Sequence, residues 1–130
     1  MIACSGGPDS MALVDIFQKL SVKYKLEIIV AHAEHGIRKE SSLNDAWYVK
    51  NYCEQKNIPF FMEHLNVLEH LKTEKLSVET LARKLRYQFL RKIAKAQNAT
   101  KIVTAHHLND QAETVLQHLL RGAGTAGLSG

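Results

Sequence analysis

The chain has 130 residues, of which 45% are hydrophobic, and this length and composition predict one domain with a single core. No run of about 18 apolar residues exists, and Met1 is not followed by a basic segment and an apolar segment. The sequence therefore predicts a soluble cytoplasmic protein with no membrane partner. Cys4 and Cys53 lack the spacing of a disulfide framework or a thiolate zinc site, and both are predicted to be buried.

The positive charge is concentrated in one part of the chain. The formal net charge is +4, but residues 72–101 alone carry +7, because nine basic residues stand there against Glu74 and Glu79. Clustered positive charge indicates a polyanion partner, either a nucleic acid or nucleotide phosphates. A solvated helix face is the alternative interpretation, and charge alone leaves both open.

Short apolar runs alternate with amphipathic stretches along the chain. Strands are predicted at 1–4, 26–32, 60–65 and 101–106. Helices are predicted at 9–20, 42–56, 78–97 and from 109 or 110 to 120, and residues 66–76 form either a loop or a short helix. Apolar strands that are each followed by a helix are typical of an α/β fold with a parallel sheet buried on both faces.

The second and third helices have further sequence signals. Ser41 or Ser42 is expected to cap the second helix, with Asp45 in its first turn and Trp47 in the core. The segment 57–59, Asn-Ile-Pro, predicts where that helix ends. The third helix has apolar residues at steps of three and four, which predicts one buried stripe. The stripe consists of Val78, Leu81, Leu85, Phe89 and Ile93.

The segment Ser5-Gly6-Gly7-Pro8-Asp9-Ser10, which we call the glycine loop, joins the first strand to the first helix. Glycines have no Cβ, so backbone amides can surround an anion there, and the two serines add hydroxyl donors. The helix directs its free N–H groups and the positive end of its dipole at the same place, which predicts a pyrophosphate site. Asp9 fits beside phosphates either as a helix cap or as a carrier of Mg²⁺. The alternative is an ordinary strand-to-helix turn.

A second glycine-rich segment has a different meaning. Residues 122–127 match the string G-x-G-x-x-G, but they follow a predicted helix. A dinucleotide fingerprint needs a strand before the glycines and a helix after them, so this segment is interpreted as a turn near the site.

Four further segments accompany the glycine loop. They are Ala31-His32-Ala33-Glu34-His35-Gly36-Ile37-Arg38, Ala82-Arg83-Lys84-Leu85-Arg86-Tyr87, Thr104-Ala105-His106-His107-Leu108-Asn109-Asp110-Gln111-Ala112-Glu113-Thr114 and Leu120-Arg121-Gly122-Ala123-Gly124. In this order and spacing, the five segments resemble the N-terminal domain of tRNA(Ile)-lysidine synthetases, members of the PP-loop ATP pyrophosphatase superfamily. The resemblance spans nearly the whole chain. It implies an adenine nucleotide alpha hydrolase-like fold, an open parallel sheet flanked by helices on both faces, with strand order 3-2-1-4 and a fifth strand missing.

The resemblance also implies an activity. ATP adenylates the wobble cytidine of a CAU-anticodon tRNA(Ile) at its C2 carbonyl, pyrophosphate leaves, and the amine of free L-lysine displaces AMP to give lysidine. ATP and Mg²⁺ are the implied cofactors, and the oligomeric state stays open, with a homodimer allowed. The alternatives are another PP-loop tRNA-modifying or amidating enzyme, such as a tRNA thiolase, and a non-catalytic ATP-binding module.

Site residues follow from the same resemblance. ATP is expected to contact Ser5, Gly6, Gly7, Pro8, Asp9, Ser10, Ala31, His32, Arg86, His106, Arg121 and Gly122. Catalytic roles are expected for Arg83, His107, Asp110 and Glu113, and Mg²⁺ is expected at Asp9 or Asp110. For Asp110 and Glu113, the alternative is a pairing with the helix dipole.

Two positions depart from the family pattern, which often has asparagine at Glu34 and aspartate at Asn109. Glu34 is expected to place a negative charge near the triphosphate. The short first strand and the ending Gly-Leu-Ser-Gly predict that 1–130 is a PP-loop domain incomplete at both ends, without the C-terminal tRNA-binding domains of the family.

Overall fold

A computed structural model of the chain describes residues 1–35 and 39–105, with residues 39–43 described by their backbone alone. The strands are β1 (Ile2–Ala3), β2 (Val30–Glu34), β3 (Phe60–His64) and β4 (Val103–Thr104). The helices are α1 (Pro8–Tyr24), α2 (Lys39–Gln55), α3 (Val67–His70) and α4 (Val78–Ala96). The predicted helix that begins at 109 or 110 lies outside the described residues.

The strands form one parallel sheet in the order β3-β2-β1-β4, which confirms the predicted fold class and strand order. The chain steps from β1 through β2 to β3 and then crosses to the other side of β1. Right-handed crossovers therefore place α1 and α2 on one face of the sheet and α4 on the other. The order in which strands are added to the sheet therefore reverses between β1 and β4, and we call this place the reversal point. Open α/β sheets bind ligands at the carboxyl ends of the strands beside such a point.

A hydrophobic cluster covers each face of the sheet, because successive side chains of a strand point to opposite faces. On the face that α1 and α2 cover, the buried residues are Ile2, Cys4, Val14, Val30, Val49, Cys53 and Ile58. On the face that α3 and α4 cover, the buried residues are Met1, Ala31, Leu65, Val67, Leu81, Ala82, Phe89, Leu90 and Ala94. Both cysteines are free and buried, which confirms the prediction for them.

Two predicted starts differ from the structure by three or four residues. β2 begins at Val30 rather than at 26, because α1 continues to Tyr24 and ends with Lys25 in the left-handed conformation, so the next residues carry the chain back to the sheet. α2 begins at Lys39, so the predicted cap at Ser41 or Ser42 is wrong, and Asp45 lies beyond the first turn. Lys and Glu at 39 and 40 are good helix formers, which favours this earlier start.

The prediction that Trp47 lies in the core is wrong, because its side chain is 60% exposed. α2 packs on the sheet through Ala46, Val49 and Cys53, which are spaced by three and four residues. Trp47 therefore lies on the outer face, where the Lys50 ammonium is 5.1 Å from its ring centroid.

The predictions for α3 and α4 agree closely with the structure. α4 ends one residue before its predicted end, and the Ser77 hydroxyl caps it by accepting a hydrogen bond from Thr80 N at 3.2 Å. The apolar stripe is buried or half-buried except at Val78, which is 39% exposed in the first turn. Residues 66–76 contain the short helix α3. Within the described ranges, no helix has the length and apolar character needed to cross a membrane.

Candidate functional site

The glycine loop places the N-terminus of α1 at the carboxyl end of β1. Gly7 is the N-cap residue, Pro8 follows at the first helical position, and Met11 N donates to Gly7 O at 3.0 Å. The amides of Asp9 and Ser10 precede this first intrahelical bond, so the helix itself gives them no acceptor. α1 has no side-chain cap hydrogen bond, so Asp9 is not its cap. The carboxyl group of Asp9 instead lies in the first turn, beside the predicted anion site.

Glycine occurs at the two positions of the loop for different structural reasons. Gly6 has φ +91°, and a Cβ at this position would lie 2.8 Å from Asp45 Cβ. α2 therefore packs directly against the loop, and only glycine fits at this contact. Gly7 has φ −72°, and among the described residues a Cβ there would meet only Ser5 Oγ, at an ordinary 3.7 Å. The absence of a side chain at Gly7 leaves space for a ligand instead.

Ser10 holds the loop in shape. Its buried hydroxyl donates to Gly7 O at 2.9 Å and accepts from Ser5 N at 3.2 Å, and Ser5 Oγ also lies 3.2 Å from it. Ser5 is exposed, so its hydroxyl is the more accessible of the two predicted donors.

His32 ties the end of β2 to the start of the loop. Its side chain is only 3% exposed, and its Nδ1 donates to Cys4 O at 2.9 Å, which fixes the proton on that nitrogen in the neutral ring. Burial lowers the pKa of His32, while the Cys4 carbonyl and the nearby Asp45 and Glu34 carboxylates act in the opposite direction. The imidazole is thus a neutral structural link at neutral pH.

The depressed pKa of His32 predicts a pH-dependent stability. Below about pH 6.5 the unfolded chain binds the proton more readily than the folded one, so the free energy of unfolding falls as the pH falls. His32→Asn keeps an N–H donor near the Nδ1 position and removes the titrating group. Between about pH 8 and about pH 5.5, its free energy of unfolding in urea should therefore decrease less than that of the parent protein. Part of the loss should remain, because burial and Arg86 also lower the pKa of His35. The exposed His70→Asn is the control, and a loss in His32→Asn equal to that of the parent protein would contradict the assignment.

A cavity of about 160 Å³ lies at the carboxyl ends of β1, β2 and β4, under α4. Its lining consists of Ala3, Cys4, Ser5, Ser10, Ala31, Ala33, His35, Arg86, Leu90, Thr104 and Ala105. It joins the glycine loop to the reversal point between β1 and β4. Four of the predicted ATP contacts meet there, namely Ser5, Ser10, Ala31 and Arg86.

His35 and Thr104 line this cavity but were not among the predicted ATP contacts or catalytic residues. The alternation of β2 is the signal that could have found His35, because it has the same parity as Ala31 and Ala33. Among the described residues, the buried Nδ1 of His35 has no hydrogen-bond partner. Burial, and next the Arg86 guanidinium, lower its pKa, so the ring faces the cavity in its neutral form.

Other predicted residues lie apart from the cavity or outside the described ranges. Arg83 is exposed, with its guanidinium 5.9 Å from the Tyr87 ring centroid, and it does not line the cavity. The Glu34 carboxylate is buried and contacts His64 Nδ1 on the neighbouring strand, so its charge has a partner at the sheet edge. The predicted residues outside the described ranges are His106, His107, Asp110, Glu113, Arg121 and Gly122. Within those ranges, no three His, Cys, Asp or Glu side chains are grouped to hold a metal ion.

The whole sequence, residues 1–130, matches the PP-loop domain family. The chain belongs to this family. Membership implies ATP binding, in agreement with the helix N-terminus and the open glycine at the loop.

Relatives with known names align along the full chain. It is 42% identical to the tRNA(Ile)-lysidine synthase of Clostridioides difficile and 45% identical to that of Thermosipho africanus, each over 130 residues. A third relative, the tRNA(Ile)-lysidine synthase of Petrotoga mobilis, is 41% identical. This PP-loop domain covers 28%, 30% and 42% of those three proteins, so it spans less than half of their length.

A solved structure confirms the fold of this PP-loop domain. The U34-tRNA thiolase NcsA from Methanococcus maripaludis, determined with its [4Fe-4S] cluster, superposes with a TM-score of 0.74. The match covers 93% of this chain and 42% of that one, at 19% sequence identity.

Proposed function

We propose that this PP-loop domain performs the ATP-dependent adenylation step of tRNA(Ile)-lysidine synthesis. The C2 oxygen of the wobble cytidine attacks the α-phosphorus of ATP, and the bond from that phosphorus to the pyrophosphate oxygen breaks. The amine of free L-lysine then forms a bond to C2, and AMP leaves with the former C2 oxygen. Alignment of the whole chain to a part of several lysidine synthases supports this reaction over others of the fold.

The observation that carries the proposal is the position of the cavity beside the glycine loop. In this proposal, the loop amides and the Ser5 hydroxyl beside the cavity hold the pyrophosphate group, which is the leaving group of adenylation. The cavity opens at the end of β1, where the α-phosphate and the reacting base would meet. Arg86 lines this cavity, and a guanidinium there stabilises the negative charge that develops on the phosphate.

Mg²⁺ fits the carboxylate chemistry at the loop, where Asp9 lies in the first turn of α1. Asp9, with Asp110 as the second candidate, would hold the ion, which neutralises phosphate charge when bound. We assign the remaining catalytic roles to Arg83, His107, Asp110 and Glu113, as the resemblance implies.

The test is incorporation of labelled L-lysine into tRNA by the intact protein. CAU-anticodon tRNA(Ile) should accept lysine, and the CAU-anticodon methionine tRNA should not. Asp9→Ala and Ser10→Ala should each lower incorporation by roughly a hundred-fold or more, because each disturbs the group that holds the leaving pyrophosphate. Ser21→Ala is the control, since this hydroxyl of the same helix donates only to Gln18 O, at 2.7 Å. Undiminished incorporation by Asp9→Ala and Ser10→Ala would refute the loop chemistry.

The thiolase alternative has less support from the described residues. Thiolation chemistry needs a reactive thiolate, and burial raises the pKa of Cys53 to about 11. Cys4 is also buried, at 3% exposure. A non-catalytic ATP-binding module would bind ATP without transferring lysine, so the same assay separates it from the ligase.

A further inference from the structure

We propose that the outer face of α4 is the surface on which an RNA strand of the substrate docks. The surface is a row of four side chains, Arg83, Tyr87, Arg91 and Lys95, which we call the arginine row. The identity of the RNA as tRNA(Ile) rests on the proposed function, whereas the surface itself rests on geometry and charge.

The four residues lie on one ridge because each follows the last by four positions. At 1.5 Å per residue, the row is about 18 Å long, enough to meet several consecutive phosphates of a strand. α4 passes the cavity near its middle, where Arg86 and Leu90 line the wall, and ends at the opposite edge of the sheet, where Gln97 lies near Met1. The row therefore runs along α4 from that edge past the cavity.

The arginine row differs in net charge from the adjacent row of side chains on α4, which contains Lys84 and Lys92. In the adjacent row, Lys84 is paired with Glu74 at 2.7 Å and Lys92 is paired with Glu63 at 2.7 Å. In the arginine row all three cations are exposed, and none forms an ion pair with another described side chain. This row thus keeps an unneutralised positive charge, which accounts for part of the +7 in residues 72–101.

Tyr87 connects the row to the cavity. Its half-buried ring packs on the core, with the Arg83 guanidinium 5.9 Å and the Arg86 guanidinium 5.5 Å from its centroid. One of these arginines faces solvent on the row and the other lines the cavity. A strand whose phosphates follow the row would therefore pass directly from Arg83 to Arg86 and bring a base to the cavity.

Charge and geometry favour RNA over an acidic protein as the partner. Phosphates repeat along a strand, the three cations of the row lie along one ridge of α4, and the guanidinium fork of arginine suits phosphate oxygens. An acidic peptide presents carboxylates without that fixed repeat.

The test compares two double variants of the intact protein with equal charge loss. Arg91→Gln with Lys95→Gln removes two cations of the row, neither of which we place in the catalytic site. Lys23→Gln with Lys56→Gln removes two exposed lysines from the opposite face. The row variant should bind tRNA roughly ten-fold more weakly at physiological ionic strength, and the slope of log affinity against log salt should be shallower by about 1.5. Binding of ATP should be unchanged in both.

Two outcomes would overturn the docking surface. One is a row variant with the tRNA affinity and salt slope of the parent protein, and the other is an equal loss in the opposite-face variant. A row variant that binds tRNA normally but loses affinity for a poly-glutamate peptide would assign the surface to an acidic protein instead. Lysine incorporation by the parent protein tests the proposed function separately, so an RNA surface can stand even where lysine transfer is absent.

Discussion

Replacing Gly6 with alanine is expected to abolish ATP binding and to destabilise the domain. The new Cβ would lie 2.8 Å from Asp45 Cβ, and alanine would have to adopt φ +91°. Backbone strain of this kind costs roughly 1–3 kcal/mol, and a forced overlap costs a similar amount. Because α2 cannot yield without losing its packing on the sheet, the loop should shift and its amides should no longer converge on the phosphates. Lysine incorporation should then fall by at least about a hundred-fold.

Gly7→Ala is the matched control for this result. Any residue can adopt the backbone conformation at this position, which has φ −72° and ψ 163°. The new Cβ would make an ordinary contact of 3.7 Å with Ser5 Oγ. The free energy of unfolding of Gly7→Ala should stay close to that of the parent protein, and any effect should be confined to ATP affinity. Urea unfolding and ATP titration of both variants separate the two roles. Equal stability of Gly6→Ala and Gly7→Ala would show that α2 does not hold the loop as described.

Leu90→Ala is expected to cause the second large effect, a loss of roughly 2–5 kcal/mol in the free energy of unfolding. Leu90 is 1% exposed, belongs to the cluster under α4 and also lines the cavity beside the glycine loop. Its truncation removes packing from the core and widens the cavity at once. A loss of this size is a large part of the 5–15 kcal/mol that typically stabilises a domain, so α4 should detach more readily from the sheet.

Hydrogen exchange of the α4 amides in the intact protein, together with ATP titration, measures both consequences of Leu90→Ala. Protection along α4 should decrease, and ATP affinity should decrease with it, because one wall of the cavity is lost. The control is Leu68→Ala in α3, where the side chain is 52% exposed and the expected change is within about 0.5 kcal/mol. An α4 whose exchange is no faster in Leu90→Ala than in Leu68→Ala would contradict the packing described here.

The glycine loop depends on groups that are distant in sequence. Gly6 is backed by Asp45 of α2, and His32 of β2 holds the Cys4 carbonyl at the start of the loop. The hydroxyl of Ser10 then closes the loop on itself. Three separate elements therefore fix the loop, which explains why we expect single changes there to affect both stability and ATP binding.

By itself, the sequence determined the order of the elements, the parallel sheet and the glycine loop. These features are encoded locally: apolar runs of strand length, an apolar stripe at helical spacing along α4, and glycines followed by a proline at a helix start. The strand order 3-2-1-4 came from the resemblance of five segments to a known family, and the structure confirmed it.

Only the tertiary structure decided which side chains meet. His35 follows β2, Arg86 lies on α4 and Thr104 lies on β4, and they share a cavity because the crossover places α4 and β4 beside β1 and β2. The orientation of α2 about its own axis places Trp47 on the solvent-exposed face of the helix. Register paired Glu34 with His64 across neighbouring strands. Such contacts depend on packing between segments that are far apart in the chain. Local sequence patterns do not contain the packing energies that select these contacts.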